Sequence, residues 1–155
     1  MFTDDQITEI IDLLIEYPDS RVYLGCDSVR FEREGKRYAK FATICVIHKN
    51  CNSGCRIFSH KSVENDYDMK KNQPKMRMMN EVMKVTELYQ QLAPILLDYD
   101  VEIHLDINLD PKHGSSCAAS EAAGYVLGMT GIEPKLKPES FAASFGADAV
   151  AHGKA

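Results

Sequence analysis

Apolar residues return at helical spacing in the first stretch of the chain, with Ile7, Ile10, Ile11, Leu14 and Ile15 on one side of a 3.6-residue repeat. Thr3, with Gln6 three residues on, suits a capped first turn, and Tyr17-Pro18-Asp19 ends the run, so a helix is predicted over 3–16. The pattern then becomes β-rich. Residues 21–26 read as a short strand, Gly35 as a turn, 38–48 as a longer strand, and Asn50, Asn52, Ser53 and Gly54 as a second turn from which 56–60 returns. Three such strands form an antiparallel meander.

Pro74 suits the first turn of a second helix whose apolar side is Met76, Met79, Val82, Met83, Val85 and Leu88, with Pro94 bending or interrupting its end. Val101, Ile103, Leu105, Ile107 and Leu109 alternate with Glu102, His104, Asp106, Asn108 and Asp110, a period-two strand. Ser115 or Ser116 is placed to cap a small-residue helix that Gly131 ends; 132–137 supplies a fifth strand, and Pro138 and Ser140 open a last helix through Val150.

The predicted order is a helix followed by β-β-β-α-β-α-β-α. Right-handed crossovers then give an α/β fold: a mixed five-stranded sheet of order 3-2-1-4-5 with strand 2 antiparallel, flanking helices and an extra N-terminal helix. Residues 1–155 are read as one domain, with 1–18 the N-terminal helix and 19–155 the core. The strand order reverses between strands 1 and 4, and the crevice beyond their carboxyl ends is where an open α/β sheet places its site.

At 155 residues and 26% charged, with no apolar run approaching the roughly 20 residues of a membrane helix, the chain excludes the membrane-spanning and disordered classes. The acidic start, Met1-Phe2-Thr3-Asp4-Asp5, lacks the cationic lead and apolar core of a secretion signal, so a cytoplasmic protein is expected. Five cysteines, an odd number, fit free thiols rather than a disulfide framework.

The net charge of −5 conceals a division: residues 30–84 carry a local +7, leaving −12 for the remainder. Arg30, Arg33, Lys36, Arg37, Lys40, Lys70, Lys71, Lys75 and Arg77 form a basic middle able to follow a phosphate backbone, the rival reading being a solvated face.

Asp27 follows the first strand and Asp106 falls in the fourth, so adjacent parallel strands set two carboxylates side by side. Like charges that close repel, whereas Mg²⁺ or Mn²⁺ stabilises both as anions; the alternative is a pair of strand-end capping aspartates. Glu81 sits in the early turns of the long helix, where solvent exposure is the rival reading and Glu87 the substitute. Asp148 is the only charge from Phe141 to Val150, a costly place for a lone anion unless a cation compensates it.

The segments Tyr23-Leu24-Gly25-Cys26-Asp27-Ser28, Ile103-His104-Leu105-Asp106-Ile107-Asn108 and Lys137-Pro138-Glu139-Ser140-Phe141-Ala142-Ala143-Ser144, with Ala147-Asp148 just beyond, resemble the YkuK-like family of ribonuclease H-related nucleases. The likeness spans nearly the whole chain. It implies the ribonuclease H-like fold, with metal held by acids on the first strand, first core helix, fourth strand and last helix; carried over, these are Asp27, Glu81, Asp106 and Asp148. It also implies two-metal hydrolysis of a phosphodiester, with two Mg²⁺ or Mn²⁺ ions activating water and stabilising the phosphoryl oxygens.

His152, four residues after Asp148, is then a candidate proton relay against the simpler reading of a surface histidine, and His113 is a second candidate. Arg30, Lys36, Arg37, Lys71, Lys75, Arg77 and Lys112 are the candidate nucleic-acid contacts. His48, Cys51, Cys55 and His60 form a possible zinc set, but the spacing lacks a Cys-x2-Cys knuckle and alternating strand residues aim apart. No Walker loop, Rossmann glycine pattern or Gly-x-Ser-x-Gly elbow is present. The expected function is a divalent-metal-dependent nuclease acting on RNA, RNA–DNA hybrid or structured DNA; the alternative is a non-catalytic nucleic-acid-binding or assembly module on the same fold.

Overall fold

In the computed structural model, which describes residues 1–68, 75–113, 116 and 118–142, the first element is α1 (Asp4–Glu16). Thr3 Oγ1 accepts from the Gln6 backbone N–H at 3.2 Å, and Gln6 Oε1 accepts in turn from the Thr3 backbone N–H at 3.0 Å. This reciprocal cap fixes the helix start where the sequence places it. Ile10 and Leu14 enter the core, but Ile15 is 71% exposed, because the residue after Leu14 is rotated by about 100° around the helix. Two contacts tie α1 to the strand at the sheet border: Gln6 Nε2 donates to Ser59 O at 3.0 Å, and Arg56 pairs with Glu9 at 2.9 Å.

Strands β1 (Arg21–Arg33) and β2 (Lys36–His48) pair antiparallel along their whole length. Glu34 and Gly35 join them, both at positive φ (53° and 76°), as a two-residue type I′ hairpin requires. β1 therefore runs to Arg33 rather than ending at Cys26. β3 (Cys55–Asn65) returns antiparallel to β2 from His48↔Cys55 to Tyr38↔Asn65 and is likewise longer than predicted.

Helix α2 (Lys75–Leu96) continues through Pro94, which falls in the last turn and interrupts nothing before Leu96. Asp68 caps its start: the carboxylate accepts from the backbone N–H groups of Met76 (2.8 Å) and Arg77 (2.9 Å), donors that a helix start leaves without intrahelical partners. β4 (Asp100–Asn108) runs parallel to β1, from Arg21↔Asp100 to Cys26↔Leu105.

α3 (Ala119–Thr130) begins later than predicted, with Ala118 at the cap position and no side-chain cap, so Ser116 does not cap it; Ser115 lies outside the described residues. Gly131, at φ 74°, closes α3 by donating to Leu127 O at 2.9 Å. β5 (Lys135–Lys137) is shorter than predicted, and the expected last helix lies, beyond Ala142, outside the described residues.

The sheet order is β3-β2-β1-β4-β5, the mixed five-stranded arrangement expected from the sequence. Alternation along the strands divides the core. Val22, Leu24, Cys26, Ile103, Leu105 and Ile107 belong to the large cluster with Ile10, Leu88, Leu92 and Val126, each such side chain contributing roughly 1.5–3 kcal/mol on burial. Tyr23, Ile44 and Val46 meet Ala142 in a second cluster on the opposite face. No helix among the described residues is long and apolar enough to cross a membrane.

Candidate active site

The β1–β4 ladder stops at Cys26↔Leu105, and the next residue on each strand is an acid, Asp27 and Asp106. Cys26 and Leu105 point into the helical core, so the period-two alternation sends both carboxylates to the opposite sheet face, at the switch point between β1 and β4. Asp27 is buried within β1 and Asp106 is partly buried, its carboxylate met by the Lys137 ammonium from β5.

Ser28, the next residue of β1, faces the helices, where α2 brings Glu81 to it. Ser28 Oγ donates to Glu81 Oε2 at 2.5 Å and accepts from Arg77 Nη1 at 2.6 Å; that same nitrogen lies 3.7 Å from Glu81 Oε2. Glu81 is buried, and burial pushes its carboxyl well above the usual carboxylate range. Repulsion from Asp27 and Asp106 adds to the rise, while the Ser28 hydrogen bond and Arg77 oppose it. Glu81, from α2, therefore feels the charges of acids on two different strands. Glu87, the substitute helix acid, is exposed on another side of α2.

The donors are hard oxygens with too much negative charge for their burial, an environment that a divalent cation relieves. Their chemistry fits Mg²⁺ or Mn²⁺. As the side chains stand, Glu81 turns to Ser28 and Arg77 and Asp106 to Lys137, and among the described residues no three His, Cys, Asp or Glu form a ready ligand cluster. Asp148 and His152 lie outside the described residues.

His104, fully buried on the same face of β4 as Asp106, contributes a different contact. Its Nδ1 accepts from the backbone N–H groups of Phe141 (3.0 Å) and Ala142 (3.1 Å), while Nε2 lies 3.2 Å from Glu102 Oε1. Five residues of sequence lie between Ala142 and Asp148.

The candidate phosphate contacts divide by environment. Lys36, Arg37 and Lys112 are exposed, as is His113. Arg30 pairs with Asp66 (2.7 Å) and Asp68 (3.5 Å), Lys75 with Glu121 (2.5 Å), and Arg77 serves Ser28; Lys71 lies outside the described residues. In the hairpin, His48 faces Cys55, whereas His60 faces Thr43, five positions further along β2 or about 17 Å at strand rise, so the four possible zinc ligands do not converge. Cys26, Cys45, Cys51 and Cys55 are free thiols.

Sequence reasoning passed over Ser28, Lys137 and His104. Ser28 carries a signal, a hydroxyl following an acid at a strand end, but the role of Lys137 depends on the β4–β5 register and that of His104 on what covers β4.

A mixed five-stranded sheet of order 3-2-1-4-5 flanked by helices is the arrangement of the ribonuclease H-like class. A family model described as Ribonuclease H-like matches residues 5–152, nearly the whole chain, and the protein belongs to that family. Comparison with curated proteins and with solved structures returned no match.

Proposed function

We propose that this protein is a divalent-metal-dependent nuclease that hydrolyses phosphodiester bonds of RNA, RNA–DNA hybrid or structured DNA. The observation that carries this reading is the placement of Asp27 and Asp106 immediately beyond the last β1–β4 pair, with Glu81 close enough for their charges to raise its pKa. Membership of the ribonuclease H-like family supports it.

Asp27, Glu81 and Asp106 would hold Mg²⁺ or Mn²⁺, with Asp148 the fourth proposed ligand. When bound as a pair, such ions lower the pKa of water and stabilise charge on the phosphoryl oxygens. The chain's own residues do the rest. Ser28 orients the Glu81 carboxylate, Lys137 balances Asp106, Lys36, Arg37 and Lys112 meet phosphates, and His152 is the proposed proton relay.

Oligonucleotides of the three substrate types, incubated with and without Mg²⁺ or Mn²⁺, test the reading. Wild type is expected to cleave at least one of them only with the ion, and Asp27→Asn to abolish cleavage while retaining binding. Identical behaviour of wild type and Asp27→Asn across the panel overturns it. A second reading, a non-catalytic nucleic-acid-binding or assembly module, is favoured by the engagement of Glu81 with Ser28 and of Asp106 with Lys137. Metal-independent binding without cleavage is its signature.

A further inference from the structure

A cleft of about 520 Å³ opens on the helical side of the sheet, one turn of α2 from Glu81, between β2, the end of β3 and the first turns of α2. Its walls are apolar and include Phe41, Tyr67, Met76, Met79 and Met83. Tyr67, Met76 and Met83 are 63%, 58% and 45% exposed, a concentration of large apolar side chains that water disfavours and that marks a binding surface. Methionine is suited to that use, since its flexible, polarizable thioether adapts to a flat ring. The amides of Asn65 and Asn80 also line the cleft and offer both donors and acceptors.

Two observations specify the occupant. Arg77 lines the cleft and also donates to Ser28 Oγ at 2.6 Å, which in turn donates to Glu81, so one side chain is shared between the cleft and the Glu81 carboxylate. The lining is balanced in charge, Lys75 pairing with Glu121 across the cleft, so its chemistry is that of the apolar walls, the two amides and the Arg77 guanidinium. An apolar slot with amide groups, joined through Arg77 to the Ser28–Glu81 bridge, matches an unstacked base of single-stranded nucleic acid. We propose that the cleft receives one such base, on the strand whose phosphodiester lies at the acids. The inference rests on the nuclease reading and adds to it a preference for strands whose bases are free to leave the stack.

Methionine methyl NMR in EDTA, where no cleavage occurs, tests the proposal with a single-stranded hexanucleotide and with its abasic sugar-phosphate counterpart. The methyls of Met76, Met79 and Met83 are expected to shift with the hexanucleotide and to stay in place with the abasic strand. By fluorescence anisotropy, Tyr67→Ala and Met83→Ala are expected to weaken hexanucleotide binding, the former about 5- to 100-fold, the span given by loss of one base stack. Their salt dependence should match wild type because the phosphate contacts remain, whereas Lys36→Ala should lower the salt slope. Hexanucleotide binding that leaves the three methyls unmoved, or equal shifts with the abasic strand, overturns the base site and leaves the nuclease reading intact. Methyl broadening that follows protein concentration alone assigns the cleft to a second copy and also overturns it. Failure of every RNA, hybrid and DNA probe to bind removes the nuclease reading and this inference together.

Discussion

The Nδ1 atom of His104 accepts a hydrogen bond of 3.0 Å from the backbone N–H of Phe141. A backbone N–H can only donate, so Nδ1 is unprotonated and the ring proton sits on Nε2, directed at Glu102. Burial lowers the His104 pKa, opposed by Glu102. The folded protein therefore binds fewer protons here than the unfolded chain, and stability is lost as pH falls through the unfolded value of about 6.5. Urea midpoints are expected to decline from pH 8 to pH 5. His104→Asn, which retains an acceptor near Nδ1 without the titration, should flatten the slope, and His104→Phe should lower the midpoint throughout. Equal slopes for wild type and His104→Asn would contradict this account.

Glu81 titrates with the opposite sign. Its folded pKa is raised above the usual 4.5, so the folded state holds the proton more tightly, and the associated stability, full below 4.5, is lost as pH rises through the folded value. In EDTA, Glu81→Gln is expected to melt above wild type at pH 7 to 8, by about 2–4 °C for each kcal/mol relieved. Mn²⁺ should raise the wild-type melting temperature and leave that of Glu81→Gln nearly unchanged. A wild type insensitive to Mn²⁺ would speak against ion binding by these acids.

The start of α2 depends on a carboxylate that precedes the helix by seven positions. Asp68→Ala deprives Met76 and Arg77 of their acceptor and Arg30 of a partner, for an expected loss of about 1–2 kcal/mol by urea denaturation. Asp68→Asn keeps one acceptor and should lose less. Equal stability of all three proteins would show that the cap contributes little.

The thiols are expected to separate by depth. Cys51 and Cys55 are exposed, whereas burial pushes Cys45 up to about 12 and Cys26 well above its usual value, with Glu81 adding to the latter. Iodoacetamide at pH 8, followed by peptide mapping, should modify Cys51 and Cys55 within minutes and spare Cys26 and Cys45 until denaturant is added. Early modification of Cys45 would mean that the sheet opens locally.

Much of this architecture is readable from alternation alone. The period-two run beginning at Val101 and the helical repeats of α1 and α2 give the element order, and connection rules then select the strand order. The outer half of β1 escapes that reading because Arg30, Glu32 and Arg33 interrupt the apolar pattern, and only pairing with β2 makes it a strand. For the site, Asp27 and Asp106 are legible as strand-end acids, and the structure sets Glu81 within their electrostatic reach. The Ser28 bridge and the Lys137 counter-charge require knowing which elements become neighbours, information that no local window contains.

The bond from Gln6 to Ser59 O has a consequence for solution behaviour. β3 is the outermost strand on its side, and its unpaired amides are a ready template for a foreign strand. The side chains of Gln6 and Glu9, reaching β3 from α1, take up Ser59 O and Arg56 on that strand and hinder such pairing. A lesion that loosens α1, such as loss of the Thr3 cap, is therefore expected to surface as aggregation well before it surfaces as lost secondary structure.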